Sequence, residues 1–138
     1  MKKVIFLDVD GVLNSRKTFV SKKGKGPWLI DVTFVRRLNR ILQETGASIV
    51  LSSVWRKYEK GRKKVKEYVD FIEWTPQHDS RVRGLEIQLW LDKHPDVTRY
   101  AIIDDDADML EGQPLFQTSF DEGLTEEITQ KVIDFLNK

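Results

Sequence analysis

VIFLDVDGVLNS, residues 4–15, runs an apolar stretch into two acids and a glycine. The apolar part shows no alternation, so KKVIFLD is predicted as a strand covered on both faces, the habit of parallel sheets. Asp8 and Asp10 then stand at its carboxyl end. Burying a carboxylate there is costly unless something compensates its charge. Asp and Gly both favour turns, so a plain turn is one reading. The rest of the chain gives reason to weigh another.

Two more stretches repeat the pattern. ASIVLS, 47–52, is an apolar strand leading to Ser52 and Ser53, and RYAIID, 99–104, leads to Asp104, Asp105 and Asp106. VDFIEW, 69–74, reads as a short third strand stopped by Thr75-Pro76, and PLFQTS, 114–119, as a short edge strand. Asp31 is a fitting N-cap for a helix to Thr45, with Val32, Val35, Leu38, Ile41 and Leu42 as its apolar stripe and Gly46 as its stop. Gly84 opens a second helix whose apolar face is Leu85, Leu89 and Trp90, widened by Ile87 and Leu91 and closed by Pro95. A third is expected from Thr125 to Asn137. Residues 14–30 read as a loop, and 55–68 as part loop, part helix. Strands alternating with helices predict an α/β fold, a Rossmann-like three-layer α/β/α arrangement with an open parallel sheet. No repeat or linker interrupts 1–138, which is read as one domain.

The chain has no cysteine, which excludes disulfide frameworks and thiolate metal sites. No stretch approaches the roughly 20 apolar residues of a membrane span. A cytoplasmic protein with no membrane partner is expected. The net charge of +1 conceals an asymmetry. Arg16, Lys17, Lys22, Lys23 and Lys25 form one basic cluster. Arg56, Lys57, Lys60, Arg62, Lys63, Lys64 and Lys66 form a second, relieved only by Glu59. Such clusters are often plain solvated surface, but both follow candidate site strands, which favours an anionic, polymeric substrate.

Open α/β sheets bind ligands beyond the carboxyl ends of their strands. The acids and hydroxyls at 8, 10, 52, 53 and 104–106 would therefore share one rim. Clustered carboxylates repel and hold one another's protons unless a cation joins them. Mg²⁺ suits one or two carboxylates plus water and phosphate oxygens. A calcium loop fails on spacing: Leu13 and Phe19, or Met109 and Leu115, stand where Gly and Glu are required. A response-regulator receiver domain also gathers acids around Mg²⁺, but its mid-chain phosphoacceptor and the lysine of its final strand find no good match here.

The residues resemble a known family. Asp8-Val-Asp10-Gly11-Val12 behind an apolar strand is similar to the first motif of the haloacid dehalogenase (HAD) superfamily. Ser52 resembles its second motif, Arg83 in VRGLEI its third, and Asp104-Asp105 behind YAII its fourth. LSSVWR, RGLEIQLWL and YAIIDDDADM further resemble small capless HAD domains grouped with RNA-repair proteins, related to the phosphatase half of phage polynucleotide kinases. The likeness covers nearly the whole chain.

The resemblance implies a Mg²⁺-dependent phosphatase working through an aspartyl-phosphate. Asp8 would be the nucleophile, and Asp10 the general acid and then base, a role needing a carboxyl group able to hold a proton near neutral pH. Asp8, Asp104 and the Asp10 carbonyl would hold Mg²⁺, with Asp105 assisting. Ser52 and Arg83 would bind phosphoryl oxygens. Gly11 is expected to permit a sharp turn that brings its backbone N–H near phosphate. Asp108 is an alternative to Asp105, and Arg81, or more weakly Lys93, an alternative to Arg83. Ser53 either reaches phosphate or caps the next segment. Arg56 is either a substrate contact or solvated. Trp28 and Trp55 are either core residues or platforms for a base. His78 and His94 are expected at the surface.

Residues 14–30 and 56–80 are too short for an independent cap fold. An open site admits large substrates, so a phosphate on a DNA or RNA end, or on a nucleotide, is the expected target. A small-metabolite or phosphoprotein phosphatase is the second reading, and a nucleic-acid-binding module with a vestigial site the third. None of Asp8, Asp10, Ser52, Arg83 or Asp104 has been lost, which counts against the third.

Overall fold

The computed structural model describes residues 2–138. Strand β1 (Lys2–Leu7) lies at the centre of a five-stranded sheet. Helix α1 (Arg16–Ser21) and helix α2 (Val32–Thr45) lead to β2 (Ser48–Leu51). A 3₁₀ turn (Val54–Lys57) and α3 (Glu59–Lys66) lead to β3 (Phe71–Trp74). Helix α4 (Arg83–Asp92), β4 (Val97–Asp104), β5 (Leu115–Gln117) and α5 (Glu126–Leu136) complete the chain. The strand order is β3-β2-β1-β4-β5, and each adjacent pair is parallel. The chain builds outward from β1 on one side, then returns to build on the other. The crevice this reversal leaves is at the carboxyl ends of β1 and β4.

The unalternating strand sequences are explained by helices on both faces. Ile5, Leu7, Ile49, Leu51, Ala101 and Ile103 pack with residues of α2, α3 and α5. Val4, Phe6, Val50 and Ile102 pack with Ile87 and Trp90 of α4. Alternate residues of one strand thus enter two separate cores. The arrangement is the expected three-layer α/β fold, without a cap domain. The 14–30 segment, expected as loop throughout, contains α1, anchored by buried Thr18 and by contact between Phe19 and Phe120. Among the described residues no helix is long and apolar enough to cross a membrane.

The helix boundaries follow local chemistry. The Asp31 carboxylate accepts the Thr33 N–H at 2.9 Å, and Gly46 ends α2 in the left-handed conformation at φ 73°. Two helix faces differ from expectation. Val32 is exposed, and Phe34 takes its place in the core, its ring lying where a side chain on Gly123 would otherwise sit. In α4 the buried line runs through Gly84, Glu86, Ile87 and Trp90, with Leu85 and Leu89 only half-buried.

Glu86 turns inward because Arg56 awaits it. Both side chains are buried and meet at 2.9 Å. The rest of the Arg56 guanidinium donates to the carbonyls of Ser52, Ser53 and Thr75 at 3.0–3.2 Å. The second Glu86 oxygen accepts the His78 N–H. Arg56 is therefore neither a substrate contact nor solvated; it ties the ends of β2 and β3 to α4. Removing one partner of a buried pair strands the other charge, at a cost of about 3 kcal/mol or more. Denaturant unfolding of Glu86→Gln should show a loss of that size, and a loss below about 0.5 kcal/mol would deny the pair this role.

Candidate active site

Backbone pairing continues one residue beyond four of the five strands. Asp8 N–H donates to Ile103 O, Ser52 N–H to Leu7 O, Thr75 N–H to Leu51 O, and Thr118 N–H to Asp104 O, all at 2.9–3.0 Å. The side chains that follow the strands are therefore fixed by the sheet itself. Asp8, Ser52 and Asp104 are all buried on this rim.

Asp8, Asp104 and Asp105 converge, offering carboxylate oxygens within 4.8 Å of one another. Arg83 enters from the first turn of α4, its Nη1 lying 2.7 Å from Asp104 Oδ2 and 3.3 Å from Asp8 Oδ1. The other Asp104 oxygen accepts the Asp106 N–H at 2.9 Å. The start of α4 is itself pinned. Asp108 accepts the Arg83 N–H with its carboxylate and the Gly84 N–H with its carbonyl. Gln113 donates to Gly84 O, and a Cβ on Gly84 would strike the backbone of Met109 and Leu110. Of the alternatives open in the sequence, Asp105 is with the cluster, whereas Asp108 holds the helix. Arg83 reaches the carboxylates; Arg81 stands apart in an exposed turn at φ 60°, and Lys93 lies at the far end of α4.

Burial pushes the Asp8 carboxyl well above its ordinary range, the Asp104 and Asp105 charges add to this, and Arg83 opposes it. Burial also raises Asp105, with the charge of Asp104 adding to it. For Arg83, burial works against the charge, yet Asp8 and Asp104 outweigh it and hold the guanidinium protonated more firmly than usual. One cation thus faces three acids. The donor set fits a hard divalent cation: all the ligands are oxygens, the charge is in excess, and the buried Ser52 hydroxyl beside them has no hydrogen-bond partner.

Asp10 is exposed and lies outside this trio. Trp55 Nε1 donates to its Oδ2 at 3.1 Å and Asn14 Nδ2 to its Oδ1 at 3.0 Å. Neither partner was identified in this role from the sequence. Asn14 is fully buried and also binds Leu29 O and the Gly11 N–H. Its position in VLNS, a polar residue straight after two apolar ones, was the available signal. The Gly11 N–H, expected near phosphate, is thus already bonded to Asn14 Oδ1 at 2.9 Å. The expected turn is present, at φ 80°, and a second reason for glycine appears: a Cβ would overlap the Asp105 carboxylate. Thr118, also missed, donates to Gly11 O at 2.6 Å. Ser53 caps the 3₁₀ turn by accepting the Trp55 N–H.

The basic clusters are less free than their sequence suggests. Lys63 pairs with Glu59, Lys64 with Glu67, Lys66 with Asp70, and Arg16 with Asp121. Helix and turn geometry brings in acids that a count within the cluster overlooks. Trp55 is buried and Trp28 packs edge-on against it, ring centres 5.0 Å apart, so both are structural. His78 is exposed, whereas His94, expected at the surface, is partly covered and stacks on Trp90 at 3.6 Å.

A buried carboxyl with a raised pKa stabilises the fold below its unfolded value, about 4, and that stability is lost as pH rises through the raised value. Asp8→Asn removes the share of the repulsion that Asp8 contributes. Without metal, this variant should therefore exceed the wild type in stability at neutral pH by about 1 kcal/mol, and the difference should close on acidification. A difference that is absent, or constant from pH 4 to 8, would contradict the charge cluster.

No curated protein matches the chain. Residues 4–128 match a family model described as the HAD domain in Swiss Army Knife RNA repair proteins. That match takes in most of β1, all of β2 to β5, Asp8, Ser52, Arg83 and the 104–105 pair, and the chain belongs to this HAD family.

Proposed function

We propose that the protein is a divalent-metal-dependent phosphatase that hydrolyses a phosphomonoester at a nucleic-acid or nucleotide end, with 1–138 acting as one domain in the cytoplasm. The observation that carries this reading is the meeting of Asp8, Asp104 and Asp105 around the Arg83 guanidinium, beside an unpartnered buried hydroxyl at Ser52. Three acids so placed work against the fold and are retained for chemistry.

Asp8, with Asp104 and Asp105, would hold Mg²⁺, which when bound offsets the repulsion between carboxylates and phosphate. The Asp8 carboxylate attacks phosphorus, forming an acyl phosphate as the ester P–O bond breaks. Asp10 gives its proton to the departing oxygen. Water then attacks the same phosphorus, its proton passing to Asp10, and the Asp8 carboxylate is released unchanged. Splitting hydrolysis in this way replaces one hard displacement with two easier ones. Trp55 and Asn14 fix the Asp10 carboxylate by two N–H donors, so the acid is held in place while solvent can reach it. Ser52 and Arg83 are assigned to the phosphoryl oxygens, where fixed donors stabilise charge that builds in the transition state. The absence of a cap leaves room for a large substrate, and membership of a family described by RNA repair supports a polynucleotide or nucleotide end.

Release of phosphate from an aryl phosphate should require Mg²⁺ and be lost in Asp8→Asn. Activity within tenfold of wild type in that variant would exclude Asp8 as the nucleophile. Trp55→Phe keeps an aromatic, though smaller, ring but deletes the N–H to Asp10, and should lower kcat about 10-fold with little change in KM. An unchanged kcat would remove the indole from the mechanism.

A further inference from the structure

An aromatic series leads from Asp10 to the surface. Trp55, buried, donates its indole N–H to the Asp10 carboxylate. Trp28 meets Trp55 edge-on, ring centres 5.0 Å apart, and Tyr58 meets Trp28 at 5.8 Å. Asn14 supplies a second link, joining Asp10 to the carbonyl of Leu29, the residue after Trp28. Trp28 is half-buried, and Tyr58 is 52% exposed. Tyr58 is held in place: its N–H donates to Trp55 O, and its carbonyl accepts the Arg62 N–H. Gly61 lets α3 approach, since a Cβ there would come within 2.6 Å of Trp55 O and 3.0 Å of the Trp28 ring.

The charges around Tyr58 point to an anionic ligand. Lys57 and Lys60, on either side of it in the chain, are exposed and have no ion-pair or hydrogen-bond partner among the described residues. The nearest acid in sequence, Glu59, is taken by Lys63 at 3.1 Å. Lys57 also lines a cleft of about 290 Å³ that reaches Arg83 and is lined as well by Arg81, Glu86, Asp106 and Asp108. Lys57 thus joins Tyr58, its neighbour in the chain, to the cleft that reaches Arg83.

We propose that the exposed face of Tyr58, backed by Trp28, stacks on the nucleobase of the nucleotide whose phosphate is removed, while Lys57 and Lys60 hold a neighbouring phosphate. This rests on the assignment of Asp10 as the proton donor. The leaving oxygen must lie at Asp10, and the nucleoside carrying it would extend from there towards Trp28 and Tyr58, to which Trp55 links Asp10. A rigid aromatic ring beside unpaired cations is suited to a base and its backbone without selecting the base's identity.

The test compares nucleoside 3′- and 5′-phosphates with ribose phosphate, which lacks the base, using wild type, Tyr58→Phe, Tyr58→Leu and Tyr58→Ala. Tyr58→Leu keeps an apolar contact to Trp28 but no aromatic face. In Tyr58→Leu and Tyr58→Ala the ratio of kcat/KM between base-bearing and base-free substrate should fall about 10-fold, and Tyr58→Phe should keep it. A ratio equal to wild type in Tyr58→Leu, or an equal loss on both substrates, overturns the proposal. Should wild type release phosphate from neither substrate, the phosphatase reading fails by itself. Binding of the nucleoside phosphates to the Asp8→Asn protein then decides the stacking site: weaker binding in Tyr58→Leu supports it, and unchanged binding refutes it.

Discussion

Repulsion among three carboxylates is the constraint around which this molecule is built. Asp8, Asp104 and Asp105 place their oxygens within 4.8 Å of one another at the ends of two central strands, with two of the three buried. Left to themselves such groups would keep their protons, and burial does push Asp8 strongly that way. Arg83 supplies the compensating charge from within the chain. It does so only because Asp108, Gln113 and the bare Cα of Gly84 lock the start of α4 against the loop that follows β4. The loop therefore fixes the third acid and the cation together.

The same economy shows where β2 and β3 meet α4. Arg56 looks in sequence like one more member of a basic run, yet it spends its whole guanidinium on strand-end carbonyls and Glu86. That knot holds the turn carrying Trp55, and Trp55 in turn holds Asp10. The buried ion pair and the hydrogen bond to Asp10 come from consecutive residues, Arg56 and Trp55. The position of Asp10 is thus coupled to packing between β2, β3 and α4.

Much of this was legible in the sequence because its signals are local. An unalternating apolar run means a strand covered on both faces, and Asp31 and Gly46 state the limits of α2 outright. The convergence of 8, 52 and 104 on one rim follows from parallel connectivity alone. What escaped depends on partners distant in the chain. Glu86 reads as the solvated face of α4 until Arg56, thirty residues earlier, claims it. Asn14, Trp55 and Thr118 fix the first motif through contacts that no spacing encodes. The basic run over α3 lost much of its apparent charge to Glu67 and Asp70, which helical spacing and the turn into β3 bring alongside it. Gly11 was expected for a sound general reason, but its N–H goes to Asn14, and the room it leaves is taken by Asp105.

The central claim is that the first carboxylate of the cluster can bond phosphorus while sharing a divalent ion with its neighbours. A crystal structure of the protein with Mg²⁺ and beryllofluoride, a mimic of the phosphoryl group, tests it in a single observation. The fluoride complex should be bonded to Asp8 through oxygen, with the metal density between Asp8 and Asp104 and the Ser52 hydroxyl newly engaged. Beryllofluoride attached elsewhere, or a metal bound away from residues 8 and 104, would contradict it.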